Sequence, residues 1–167
     1  MKSGEISTQE VEPPVLSFNS EASYVKMSSL RGGATVWGMV GKSEVIRKLQ
    51  DRIRSAASSD LSVLILGETG SGKELVANAI HNESNRSKRR FVALNTGAVP
   101  RELVASELFG HVKGSFTGAI NDRKGCFVEA DGGTLFLDEL TTMDERTQVG
   151  LLRALEQRVI QPVGASK

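Results

Sequence analysis

The feature that most constrains the fold is the stretch Gly67-Glu68-Thr69-Gly70-Ser71-Gly72-Lys73-Glu74. It follows a continuous apolar run at residues 61–66, of the kind found in buried parallel strands. It precedes a segment in which Leu75, Val76, Ala79 and Ile80 recur at helical spacing. A glycine loop between a strand and a helix lets successive backbone N–H groups turn inward around phosphate oxygens, and the helix N-terminus adds its positive end. Lys73 supplies a point charge. Near 4 Å, at an effective dielectric of about 20, one such ion pair is worth roughly 4 kcal/mol before desolvation. The generic phosphate-loop pattern ends Lys-Ser/Thr, whereas Glu74 has no hydroxyl to offer magnesium. The metal must then be held in another way.

The rest of the pattern alternates strand and helix. Ser43 can cap a helix carrying Val45, Ile46, Leu49 and Ile53. Residues 91–94 read as a second short strand. Pro100 suits the first turn of a helix through Leu103, Val104 and Leu108. Residues 134–137 read as a third strand. Thr142 and Glu145 have capping-box spacing ahead of a helix carrying Val149, Leu152 and Leu155. The alternation predicts an α/β fold with a parallel sheet. Residues 1–36 are rich in Ser, Glu, Gly and Pro without an apolar period, and are expected to form a linker or flexible arm. The globular part is expected over 37–167.

Two further motifs carry chemistry. Gly132-Gly133-Thr134-Leu135-Phe136-Leu137-Asp138-Glu139 is an apolar strand ending in two acids. Beside a phosphate loop, the first carboxylate can orient magnesium and its waters, and the second can polarise an attacking water. Glu107-Leu108-Phe109-Gly110-His111-Val112-Lys113-Gly114-Ser115-Phe116-Thr117-Gly118-Ala119 frames an aromatic and a hydroxyl between glycines. That composition suits a mobile loop tipped with contact residues, although a tight turn with Phe116 folded into the core fits it equally.

This last stretch closely resembles the ELFGHxKGAFTGA segment of the sigma-54-dependent transcription activators, the bacterial enhancer-binding AAA+ ATPases, and the resemblance runs from about residue 39 to residue 164. It implies an AAA+ P-loop NTPase fold, a three-layer α/β/α sandwich with a parallel sheet. The chain would stop before the fourth strand and the helical lid. That fourth strand would lie between the phosphate-loop strand and the acidic strand, so these two are not expected to be neighbours. The resemblance further implies that Gly67, Glu68, Thr69, Gly70, Ser71, Gly72, Lys73 and Glu74 hold ATP and that Asp138 serves Mg2+. Glu139 would activate water, and Asn95, ending the second strand, would switch Glu139 with nucleotide state. Gly114, Ser115, Phe116, Thr117, Gly118 and Ala119 would press on sigma-54 in the RNA polymerase holoenzyme, in a parent that self-associates into a ring.

Departures from the family pattern are few. Ser115 stands for the usual alanine, Cys126 for a common arginine and Thr96 for a frequent cysteine. Gly150 falls inside the last helix, where it costs about 1 kcal/mol relative to alanine. Cys126 reads as a small, partly buried residue. Arg86-Ser87-Lys88-Arg89-Arg90 reads as a solvated loop more readily than as a nucleic-acid contact, and His81 and His111 lack partners at metal-ligand spacing.

Bulk composition sets outer bounds. With 39% hydrophobic and 25% charged residues the chain has the mix of a soluble globular protein, and its net charge of +1 argues against non-specific nucleic-acid binding as the main activity. A single cysteine and no signal-like or membrane-length apolar run lead to an expected cytoplasmic location, with no membrane contact.

Three functions compete at this stage. One is an ATPase module coupled to remodelling of the sigma-54 polymerase complex. The second is a non-hydrolysing nucleotide- or sigma-binding fragment that regulates intact relatives. The third, a P-loop kinase, lacks a recognisable acceptor site. The resembled family places its sensor strand, arginine fingers and DNA-binding helices later than residue 167, so negligible turnover is expected of these residues alone, and no DNA-binding domain is expected among them.

Overall fold

A computed structural model describes residues 15–17 and 36–165. Ser43 caps the first helix, α1 (Glu44–Ala57), its hydroxyl accepting from Ile46 N at 3.3 Å. Glu44 in the first turn and Arg54 in the last complement the helix dipole. Leu49, Ile53, Ala56 and Ala57 face inward, while Val45, which shares their period, is exposed.

The strand before the glycine loop, β2 (Leu64–Leu66), is shorter than the apolar run suggests. Leu61 lies outside it and is exposed, its N–H turned to the Ser59 hydroxyl. Within β2 only Ile65 packs inward; Leu64 and Leu66 are exposed, so the strand is covered on one face rather than two. Most of the arm expected over 1–36 lies outside the described residues. The exceptions are Val36, bridged to Met39, and β1 (Val15–Ser17), which pairs with β2 in parallel from Val15↔Leu64 to Ser17↔Leu66.

After the glycine loop comes α2 (Lys73–Glu83), and then β3 (Phe91–Asn95). A 3-10 turn (Thr96–Ala98) leads to α3 (Arg101–Phe109). Pro100 takes the capping position just outside α3 rather than its first turn. The strands β4 (Gly110–His111) and β5 (Arg123–Lys124) form an antiparallel pair, followed by the short helix α4 (Cys126–Glu129). The acidic strand is β6 (Thr134–Asp138), and the last helix is α5 (Glu145–Gln157).

The cap of α5 differs from the sequence expectation. Asp144, not Thr142, accepts from Thr147 N at 2.7 Å, and Thr142 sits in a separate 3-10 turn with its hydroxyl on Glu139 O. The apolar positions expected to anchor this helix are outside: Val149, Leu152 and Leu155 are 44%, 53% and 51% exposed. Its buried side is Thr147 and Ala154, with Leu151 packed alongside. Gly150 lets the helix approach Phe109 closely, since a β-carbon there would stand 3.0 Å from two ring carbons.

β3 and β6 run parallel in full register, from Phe91↔Thr134 to Asn95↔Asp138. No ladder joins β2 to this pair among the described residues, as the family sheet order implies. The two halves meet through α2: buried His81 bonds Thr134 Oγ1 at 2.9 Å and tilts against the Phe91 ring. One core, with Met39, Leu49, Ile53, Val76 and Ala79, lies under α1 and α2. The other, with Val104, Leu108, Phe109, Met143 and Ala154, lies under α3 and α5. Among the described residues no helix is long and apolar enough to cross a membrane.

Candidate functional site

The glycine loop folds as its composition demands. Gly72 occupies the position before α2 at φ 89, a left-handed value that a side chain would resist, and Ser71 N bonds Glu68 O at 3.2 Å. The loop therefore ends at the first turn of α2, whose free N–H groups point into it. The Lys73 ammonium turns back over the loop, donating to Glu68 O at 3.1 Å and Gly67 O at 3.3 Å. It also stands 3.9 Å from Asp138 Oδ1, and both side chains are largely shielded from solvent. Residues far apart in sequence thus converge: the phosphate-loop lysine and the first acid of the acidic strand.

Asp138 ends β6, and its Oδ1 accepts from Glu139 N at 3.0 Å. Glu139 then turns with φ 57 and ψ 42, a left-handed conformation rare outside glycine. Its carboxylate lies across Gly97, where any β-carbon would overlap it. Asn95 is level with Asp138 in the β3–β6 register, but its amide oxygen accepts from Gly97 N (2.8 Å) and Ala98 N (3.2 Å). No hydrogen bond joins Asn95 to Glu139 among the described residues, so the switching contact that the family resemblance implies is not formed in this arrangement.

Sequence reasoning singled out Thr96 only as a departure. The structure places it at the centre of the acidic turn. Its side chain is 1% exposed, and Oγ1 lies 3.0 Å from Asp138 O, 2.9 Å from Glu139 O and 2.9 Å from Thr142 Oγ1. The only advance signal is its place directly after the asparagine that ends β3.

The described residues include no cluster of three or more His, Cys, Asp or Glu able to cage a metal. Asp138 offers hard carboxylate oxygen beside the phosphate loop. That donor set fits magnesium, which keeps several waters and is usually held by one or two carboxylates plus substrate phosphates.

The Gly114–Ala119 segment stands on a rigid base. Gly110 and Gly125 face each other backbone to backbone across β4 and β5, with no room for a side chain at either. Arg123 forks onto Glu107 at 2.6 and 2.8 Å. Above this base the loop closes on itself, Gly114 N bonding Ala119 O at 2.8 Å while Lys113 N bonds Asp122 Oδ1 at 2.7 Å. Phe116 is not the exposed tip that the motif suggests. It is half-buried, its ring edge-on to His111 at 5.0 Å, and His111 is itself bonded to the buried Ser106 hydroxyl at 2.7 Å. Thr117 is exposed. Val163 flanks the base, pairing with Gly110 and Val112, and Gly164 packs on Ser115. The Ser115 hydroxyl is buried without a hydrogen-bond partner among the described residues.

The remaining reactive groups are structural. Arg86 pairs with Asp60 at 2.6 Å and reaches Gly133 O at 3.3 Å. Burial, then the nearby Glu129 and Glu107 carboxylates, push the Cys126 thiol above its ordinary value, with Arg123 opposing. That shift disfavours the reactive thiolate.

Known proteins share both sequence and fold. The chain is 56% identical over 126 residues to the anaerobic nitric oxide reductase transcription regulator NorR of Vibrio vulnificus (strain CMCP6), covering 75% of this chain and 25% of that protein. It is 49% identical over 129 residues to the transcriptional regulatory protein GlrR of Escherichia coli (strain K12), covering 77% of this chain and 29% of that one. The chain therefore spans less than a third of the length of these regulators. Among solved structures, NtrX from Brucella abortus in complex with ATP superposes with a TM-score of 0.69 at 36% identity, over 77% of this chain and 27% of that one. The P-loop NTPase domain of an E. coli sigma-54 activator, at 21% identity and a TM-score of 0.50, shares the fold. Residues 39–167 match the Sigma-54 interaction domain, and the chain belongs to that family.

Proposed function

We propose that this domain binds ATP with Mg2+ and serves as the nucleotide-binding module of a sigma-54-dependent transcription activator. In the whole protein, ATP hydrolysis would drive remodelling of the sigma-54 RNA polymerase complex. The observation that carries this reading is the 3.9 Å approach of Lys73 to Asp138, which sets the phosphate loop against the acidic strand. ATP complexed with the NtrX relative supports it.

The division of labour proposed here is the one that the family resemblance implies. The loop from Gly67 to Gly72 and the N-terminus of α2 would cradle phosphate oxygens, and Lys73 would leave its carbonyl partners for them. Asp138 would hold Mg2+, which when bound neutralises developing charge on the phosphates. Glu139, beside it, would orient and deprotonate water, with Asn95 near enough to engage it in another state. Gly114 to Ala119 would contact sigma-54, and ring assembly of the whole protein would supply residues across subunits.

The test is an equilibrium titration of ATP with Mg2+, read by Trp37, the single tryptophan, whose indole bonds Glu83 of α2. Lys73→Ala should weaken affinity by about tenfold or more, a loss of roughly 1.4 kcal/mol. Equal affinity in the two proteins would overturn the assignment.

A further inference from the structure

Local hydrogen bonds hold part of the Glu139 turn: Glu139 N donates to Asp138 Oδ1, and Glu139 O accepts from Thr142 N and Thr142 Oγ1. A left-handed glutamate is a strained residue, and such residues persist only where their surroundings over-determine them. A further, long-range constraint comes from the neighbouring strand. Thr96, one position beyond β3, reaches across to both carbonyls that flank the Asp138–Glu139 step. Thr142, one turn further on, supplies the second hydroxyl, 2.8 Å from Glu139 O and 2.9 Å from Thr96 Oγ1.

The protons can be counted. Two hydroxyls carry one proton each, the Thr142 amide adds a third 3.0 Å from Glu139 O, and two carbonyls accept. Thr142 can donate to Glu139 O while Thr96 donates to Asp138 O or shares its proton between the two carbonyls. Glu139 O keeps both Thr142 donors without Thr96, so the acceptor that loses its side-chain donor is Asp138 O, at a point closed to water by the buried Thr96. A methyl of the same shape would fill the space and still not do this work.

We propose that Thr96 is a positioning residue for Glu139. Its buried hydroxyl pins the left-handed turn and so holds the Glu139 carboxylate over Gly97 and beside Asp138. The significance of that carboxylate rests on the reading given under Proposed function; the clamp itself does not, and its test needs no nucleotide.

The test uses the full 167-residue chain, labelled with 13C and 15N, and compares Thr96→Val with Thr96→Ser. Valine keeps the shape and loses the hydroxyl; serine keeps the hydroxyl and loses the methyl. In the valine variant the Glu139 Cα and Cβ shifts should move toward extended values. Amide exchange at Glu139 and Thr142 should rise by about tenfold, while ladder amides at Leu94 and Phe136 stay within about twofold. Serine should retain the original shifts and exchange. The proposal is overturned if valine preserves the Glu139 shifts, if the ladder loosens equally, or if serine behaves like valine, since each would assign Thr96 to packing alone. Should the valine variant not fold, Thr96→Ala against Thr96→Ser carries the same comparison. A failed Lys73 titration with an intact valine effect would reject the ATP reading and leave the clamp standing.

Discussion

Gly150 of α5 lies against the ring of Phe109 at the end of α3, close enough that an added β-carbon would stand 3.0 Å from Cε2 and Cζ. Phe109 cannot easily retreat, because it is buried and stacked on Phe127 at 5.8 Å between centroids. Two effects oppose each other in Gly150→Ala. Helix propensity favours alanine by about 1 kcal/mol, and overpacking a tight contact costs roughly 1–3 kcal/mol. Packing should win. Thermal unfolding of Gly150→Ala is expected at a lower temperature than the parent, and a rise would show that Phe109 has room to move.

The orphaned hydroxyl of Ser115 makes the opposite prediction. Alanine has the same β-carbon, so it packs on Gly164 as serine does. What it removes is a buried polar atom without a partner, and such an atom costs about 1–3 kcal/mol to desolvate. Ser115→Ala should stabilise the domain by about 1 kcal/mol in urea unfolding, with an unchanged m-value. Destabilisation would mean that the hydroxyl does find a partner in solution.

Asp144 links stability to pH. Its hydrogen bonds to Thr147, the largest cause, hold the carboxyl below the ordinary aspartate range. A lowered folded pKa means that the cap's contribution is complete above the unfolded-state pKa and is lost as pH falls through the folded one. Asp144→Ala should cost about 1 kcal/mol at neutral pH, and this difference should shrink below the carboxylate range. Asp144→Asn should keep most of the stability and lose that pH dependence. Parallel pH profiles for the aspartate and alanine forms would remove Asp144 from the cap.

Much of this arrangement is written locally in the chain, and the parts that are not share a cause. Ser43, the glycine loop and the strand ending in Asp138 and Glu139 are short-range patterns, and each forms where the sequence places it. The face of α5 is not legible, because helical periodicity marks Val149, Leu152 and Leu155 as readily as it marks the buried Ala154. The decision comes from Gly150 admitting Phe109, a contact between elements distant in sequence. Thr96 is hidden for the same reason: its partners lie at 138, 139 and 142 and become neighbours only through the β3–β6 register. Phe116 shows the limit of a motif. Its sequence marks a loop between glycines but says nothing of the His111 ring on which the phenyl rests.

That packing separates two residues that the motif treats as a pair. Phe116 is half-buried on His111, so Phe116→Ala should cost stability, whereas Thr117 is exposed and Thr117→Ala should leave unfolding within about 0.5 kcal/mol. If the loop contacts sigma-54, as proposed, both substitutions should still weaken capture, since an aromatic anchor and an adjacent hydroxyl are the groups an interface would use. Release of Phe116 from His111 would then accompany capture, and Gly114 and Gly118, both at positive φ, give the loop its hinges. Pull-down of purified sigma-54 by the whole activator, with and without ATP, measures capture, and the titration read by Trp37 measures nucleotide affinity. Both variants should lose capture while ATP affinity stays within about threefold of the original. Loss of ATP binding with capture intact would place the loop in the nucleotide site and reject its assignment to sigma-54.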